Sequence, residues 1–365
     1  MAGKAAYVAC NVYVSAGRQG GAPILLDVLA KAQQRCQYLR RHKVTASPER
    51  NDHTGTKIAH TKQLHPIALV HAFADVPYDR SSFHLAGTAD CVADVASLIA
   101  TQALKGLAKI FDPVKATCNS SEPDEEPGSR HPYVGIVDHV AVMPLLNTYE
   151  KSTGTRTDDS FQVSFEAPDA NGQTAIQIGQ AISEVGAKVY YYGSADPDYT
   201  PLAQVRRECT KFFKSGGLKE ESKVDTHATG GIYGVATVGA PSSFVENYNI
   251  RLSATCSKTM ARSLTKIVRE KDGGIVGVEA LTLPYSEGRY EVACNLLDPE
   301  RGSADMILKA ATKWAENHGG ESCIDKAYRV GTTAEQCIGA LSNTDVDEHD
   351  KAVYHRFTNY MSSSA

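Results

Sequence analysis

The chain has 365 residues, of which 42% are hydrophobic and 22% charged, with a formal net charge of −4. That length exceeds one small core and points to two domains, while the composition excludes wholesale disorder. The mild negative charge offers no general attraction to nucleic acid or to an anionic membrane, and no apolar run reaches the roughly 18–20 residues that span a bilayer.

The elements follow in chain order. Residues 6–14 (AYVACNVYV) read as a strand, broken by Ser15-Ala16-Gly17, and 23–41 as a helix with Ile24, Val28, Ala32 and Cys36 on one face. A polar stretch (42–63) leads to a buried strand at 66–73, a partner strand at 81–86 and an amphipathic helix at 91–110. The acidic run 119–130 reads as solvated loop, 135–143 as the fourth strand, and 147–171 as a further insertion. A helix (175–185) and a strand (189–192) come next, then a mixed, partly helical tract over 194–224.

After Gly230-Gly231 the pattern restarts: strand 244–252, helix 258–269, paired strands 277–283 and 290–296, helix 304–316 and strand 324–330. Both halves therefore carry the order βαββαβ. The expected fold class is α+β, with two ferredoxin-like subdomains whose helices pack on antiparallel sheets. The expected domains are 1–240, with insertions near 42–63, 111–130 and 147–171, then 241–335, then a tail at 336–365 that frays after Leu341. Nine cysteines, odd in number and without a Cys-x-x-Cys pair, argue for reduced thiols. With no secretory leader at 1–7, a cytoplasmic location is expected.

His131 is the leading chemical candidate, because an imidazole at a strand entrance can exchange a proton near neutral pH. Pro132 would fix its backbone and Gly135 would permit close approach by a ligand; a plain His-Pro loop is the alternative. Asp138 sits among Ile136, Val137 and Val140, so its carboxylate must be paired or solvated. It either orients a histidine, binds a polar substrate edge, or is structural.

The run Gly230-Gly231-Ile232-Tyr233-Gly234, with His227, is either a ligand-approaching loop or an inter-domain hinge, and it lacks dinucleotide spacing. His53, His60 and His65 match no metal motif, so no metal is expected. Arg206, Arg207, Lys211 and Lys214 read as a solvated helix face, or as a patch for an acidic ligand.

HPYVGIVDHVAVMP, KVYYYG and ATVGAPSSFVENYNIRL, in that order, resemble the glutamate formiminotransferase family. So do VACNVYVSAGR, Asp79-Arg80-Ser81 and CNLLD at 294–298. The resemblance runs from about residue 7 to 330 and does not extend to a cyclodeaminase domain. It implies two ferredoxin-like subdomains around a folate tunnel, commonly in a homodimer. The implied reaction moves a formimino group between N-formiminoglutamate and tetrahydrofolate as co-substrate.

His131 matches the family's general acid/base. Arg80, Asp138, His227, Gly231, Tyr233 and Gly234 are the corresponding candidates for contacts to folate and a glutamate-type substrate. Where the family reads Glu-His-Pro-Arg-Met-Gly, this chain has Arg130-His131-Pro132-Tyr133-Val134-Gly135. Two functions follow: the transferase, or a non-catalytic folate-binding or interaction module that keeps the fold.

Overall fold

The computed structural model describes residues 6–16, 20–43, 64–110, 131–145, 169–210 and 231–362. Among these are ten strands in two sheets and eight α-helices, a mixed α+β architecture. β1 (Tyr7–Val14) is central to the first sheet and pairs antiparallel with β3 (Arg80–Thr88) and β4 (Val137–Pro144). Its run reads as continuously apolar because both faces are covered. Val8, Cys10, Val12 and Val14 enter the helix-side core, while Ala9 joins a cluster on the opposite face.

β2 (Ile67–Asp75) pairs antiparallel with β3 at one edge. Beyond β4 the sheet continues in parallel through β6 (Val235–Ala240) to β5 (Lys188–Gly193), giving the order β2-β3-β1-β4-β6-β5. The first sheet is therefore six-stranded rather than the four-stranded sheet that the βαββαβ expectation describes.

α1 (Ala22–His42), α2 (Ala89–Leu107) and α3 (Ala170–Glu184) bury their apolar stripes against this sheet. α1 has Pro23 in its first turn and Arg40, Arg41 and His42 in its last, both matched to the helix ends. α3 is capped by the Asp169 carboxylate, which accepts the Gly172 N–H at 2.7 Å. A short helix, α4 (Leu202–Glu208), follows β5.

The second sheet comprises β7 (Glu246–Leu252), β8 (Val278–Pro284), β9 (Tyr290–Leu296) and β10 (Ile324–Arg329), antiparallel in the order β10-β7-β9-β8. α5 (Lys258–Val268) and α6 (Ala304–Glu316) pack on it around the buried Trp314, whose Nε1–H donates to Ser263 Oγ at 2.9 Å.

From residue 342 to 362 the chain is not frayed. α7 (Ala334–Leu341) opens with a reciprocal Thr333–Gln336 capping box, and α8 (Val346–Ser362) lies along β2 and α1. α8 places Val353, Phe357 and Met361 in the first sheet's core, with the Phe357 and Phe83 rings 5.5 Å apart. Its buried Asp350 meets Arg40 Nη2 at 2.8 Å and accepts the Leu69 N–H at 3.1 Å. Among the described residues no helix is long and apolar enough to cross a membrane.

The two sheets touch through polar and aromatic side chains. Tyr13 donates its hydroxyl to Asn247 Oδ1 at 2.8 Å, and Asn247 donates in turn to Asn295 Oδ1 at 2.8 Å. Tyr78, in the β2–β3 turn, stands edge-on to Tyr285 of the second half at 4.9 Å.

Candidate active site

Three of the residues singled out in the sequence converge where β1 ends and β3 and β4 begin. Asp138 is the second residue of β4, which points its carboxylate into the layer, where it is fully buried. An ionised group there requires partners, and it has several. Oδ1 accepts the Val134 N–H at 2.8 Å, and Oδ2 lies 2.9 Å from Arg80 Nη2 and 3.1 Å from Arg206 Nη2. Burial alone would raise the Asp138 pKa, but the charges of Arg80 and Arg206 outweigh it and hold the pKa down to about 2.

Arg80 does double duty: its Nη1 is 3.0 Å from His131 Nδ1, and its guanidinium covers the Tyr13 ring at 5.1 Å. His131 Nδ1 is also 2.7 Å from the Pro132 carbonyl oxygen. The ring nitrogen cannot serve both partners in one tautomer. Either it accepts from Arg80, and Nε2 carries the proton, or it donates to Pro132 O, and Nε2 has a free lone pair.

The imidazole is neutral in both cases. Burial first, then the Arg80 charge, lowers its pKa to about 3, against the opposing pull of Asp138. The residue retains some exposed surface, yet its ring lies deep enough in protein for burial to dominate. It is Arg80, from β3, that supplies the neighbouring cation; Arg130 lies outside the described residues.

Arg206 was expected on a solvated face and is instead buried, bound to Asp138 and within 3.4 Å of Thr237 Oγ1. Thr237 of β6 donates to the Asp138 carbonyl at 2.9 Å. One sequence signal did point here: an aspartate inside an apolar strand must be paired or solvated, although nothing said by what. His139, Tyr13 and Tyr192 extend the same polar layer, with the His139 and Tyr13 rings stacked 5.4 Å apart and His139 Nε2 2.9 Å from Tyr192 Oη.

The glycine turn meets this centre by backbone. Gly234 (φ +71°) and Gly135 form a bridge, and Val235 N–H donates to Val134 O at 2.9 Å. A Cβ on Gly135 would lie 2.5 Å from Val235 O, and one on Gly234 would lie 2.5 Å from Gly135 Cα. The close approach anticipated at Gly135 is thus by the 233–235 backbone. Tyr233 packs its ring beside Gly186 at the α3–β5 turn, and Gly231 begins the short turn that precedes it. His227, Gly230, Lys211, Lys214, His53 and His60 lie outside the described residues. His65 is described, and its Nε2 is 2.8 Å from the Asn343 carbonyl. Among the described residues no group of three His, Cys, Asp or Glu side chains is placed to hold a metal ion.

A cavity of about 940 Å³ lies next to this centre, lined from β2, the second sheet, α7 and α8. None of Arg80, His131, Asp138, Tyr233 and Gly234 lines it. Tyr78 links the two places, edge-on to His131 at 5.5 Å and edge-on to the cavity residue Tyr285. Behind Tyr285, the buried Glu291 accepts from Arg251 Nε at 2.9 Å, from Tyr328 Oη at 2.6 Å and from Asn249 Nδ2 at 3.2 Å.

A two-sheet α+β protein with a neutral histidine held against a buried Arg–Asp–Arg cluster has a related protein among those already known. The chain is 28% identical over 291 residues to the formiminotransferase cyclodeaminase-like protein of Arabidopsis thaliana, covering 76% of this chain and 87% of that one. This likeness supports a formiminotransferase family relationship. No family model matches the chain.

Solved structures align along its length at low similarity. Pitrilysin aligns at TM-score 0.24 and 11% identity, over 98% of this chain and 41% of that one. The periplasmic protease PqqL from Escherichia coli gives 0.20 and 8%, over 99% and 40%. A peptidase M16 inactive domain from Pseudomonas fluorescens gives 0.23 and 12%, over 99% and 87%. Scores at this level define no common fold, and nothing below rests on them.

Proposed function

We propose that the chain is a folate-dependent one-carbon transferase that moves a formimino group between N-formiminoglutamate and tetrahydrofolate. The folate nitrogen N5 attacks the formimino carbon, its proton passes to His131, and the carbon–nitrogen bond to glutamate breaks as that nitrogen takes a proton. The observation that carries the proposal is the neutral His131 imidazole, held between Arg80 and the Pro132 carbonyl in a chain related to a formiminotransferase-type protein. The tautomer that donates Nδ1–H to Pro132 O leaves Nε2 as the base, and a positioned histidine of this kind contributes roughly 10²–10⁴ in rate. Arg80 is assigned to hold both the imidazole and the folate, and Asp138 to fix Arg80. The turn at 231–234, with Gly231, Tyr233 and Gly234 and the preceding His227, is assigned to the wall of the folate site.

The fold side of the proposal is two ferredoxin-like units, over 1–240 and 241–335. In each half the four strands of the βαββαβ run lie side by side with the first between the third and the fourth, which supports this assignment. β5 and β6 are then an addition to the first unit, and 336–365 an extension beyond the second.

A second reading, a folate-binding module without transfer chemistry, is favoured by one feature. A pKa lowered to about 3 makes His131 a weak base, so the proton would leave N5 only with help from the adduct's own charge. A paired experiment separates the readings: titration with 5-formyltetrahydrofolate and a transfer assay, each on wild type and His131→Ala. The proposal expects transfer to fall by roughly 10²-fold or more in the variant, with folate affinity nearly unchanged. Equal transfer by both proteins removes His131 from the reaction. Folate binding by both without transfer by either leaves the binding module.

A further inference from the structure

The second half carries a pair of cysteines that the reaction just described does not use. Cys256 lies in the turn between β7 and α5, and Cys323 closes the short turn that precedes β10. Cys10 and Cys294, by contrast, are held within β1 and β9. Backbone pairing brings the two turns together. Leu252 pairs with Ile324, which sets the end of β7 beside the start of β10. Ser253 N–H then donates to Cys323 O at 3.0 Å, and Cys256 N–H turns back to Ser253 O at 3.0 Å. That turn folds the Cys256 side chain over Cys323, with Sγ 3.5 Å from the Cys323 carbonyl oxygen. The thiols are neighbours too: burial first, then Cys256 by hydrogen bond and by charge, raises the Cys323 pKa.

Both side chains are covered, at 2% and 4% exposure, yet the cover is one turn deep. Ala254, Thr255 and Ser257 beside Cys256 are exposed, as are His318, Gly319 and Ser322 beside Cys323. The Cys323 thiol donates to His318 O at 3.0 Å. Gly319 borders this thiol, since a Cβ added there would stand 3.3 Å from Sγ, and Gly319 and Gly320 hold φ of +118° and +84°. Two adjacent glycines change conformation at low steric cost, so opening of the 318–320 turn is the local step that frees the sulfur.

We infer that Cys256 and Cys323 are a reversible oxidation site, a dithiol that a peroxide converts to a disulfide. One thiolate attacks a peroxide oxygen and becomes a sulfenic acid, and the other oxygen leaves as water when the O–O bond breaks. The second thiol attacks the sulfenic sulfur, whose oxygen leaves as a second water. Two electrons pass from the sulfurs to the peroxide, and both thiol protons end in the waters. A dithiol reductant reverses the bond by exchange. A raised pKa keeps the Cys323 thiolate scarce, so the neighbouring partner, rather than acidity, gives the pair its selectivity. The bond closes a loop of 67 positions and ties the exit of β7 to the entrance of β10.

Graded hydrogen peroxide on the native full chain tests the site, with free thiols blocked before denaturation and tryptic peptides weighed without reduction. Peptides 252–258 and 314–326 each hold a single cysteine, Cys256 and Cys323 respectively. The inference expects these peptides joined, lighter than their sum by two hydrogens, and separated again by dithiothreitol. The exposed Cys209 reports that the oxidant has acted. In Cys256→Ser, peptide 314–326 is expected to take up oxygen instead of a partner. The deciding measurement is made on wild type, so it does not depend on how the variant folds. Both thiols still free in wild type after Cys209 has oxidised, or sulfinic acids in place of the bond, overturn the inference. So does either cysteine joined to a different one.

Discussion

Asp138 carries more of the site than its place in the chain suggests. It lies between Arg80 and Arg206, and all three side chains are buried or nearly so. Replacing it with asparagine keeps the volume and removes the buried negative charge from between the two guanidiniums. Breaking a buried ion pair from one side costs about 3–5 kcal/mol. Asp138→Asn is therefore expected to lower the urea midpoint by that equivalent, and an unchanged midpoint would mean that water already screens the cluster. The sequence exposed half of this arrangement. A carboxylate among Ile136, Val137 and Val140 announces that it needs a partner, and the His131 motif announces itself by pattern. Arg206 stands 68 positions away in a run of basic residues that looks like any solvated helix, so only the fold reveals it as the partner.

At the level of elements, legibility followed the length and regularity of the apolar pattern. β1, α1, β2, β3 and α2 lie within a few residues of where period and breakers place them, as do all six elements of the second half. β6 was not recognised because six residues with an internal glycine, placed between a glycine turn and Pro241, carry no alternation of their own. Its strand character comes from parallel partners distant in sequence. α8 was misread for a different reason. Its charged residues dominate the composition, while the buried positions 346, 350, 353, 357 and 361 keep helical spacing beneath them. The helix is structural, and Phe357 tests this: its ring is fully buried against Phe83. Phe357→Ala is expected to destabilise the fold by about 3–5 kcal/mol. A loss below about 0.5 kcal/mol, the level of an ordinary surface position, would return α8 to the status of a loose end.

Taken over the whole molecule, burial has put an unusual set of groups on opposite sides of the pH balance. His131 is lowered to about 3 and His71 to about 4, His84 and His139 lie well below their ordinary value, and His349 is lowered too, each mainly by burial. The folded chain keeps these rings neutral, whereas the unfolded chain protonates them near pH 6.5. As pH falls below that value the unfolded state binds more protons, and stability drops by up to about 1.4 kcal/mol per pH unit for each ring.

Asp75 and Asp350 work the other way. Burial raises both to about 6, so the folded state takes up their protons first and gains stability as pH falls from about 6 toward the unfolded value near 3.9. The histidines outnumber the aspartates, so the net expectation is a urea midpoint that declines steadily from pH 7.5 to 4.5. A midpoint that is flat or rises over that interval would contradict the neutral histidine layer. Asp75→Asn isolates the counterweight: it removes one group that gains a proton on folding, and the decline between pH 6 and 4 should steepen. A slope unchanged by that substitution would mean that Asp75 is already hydrated at the cavity wall, with an ordinary carboxylate pKa.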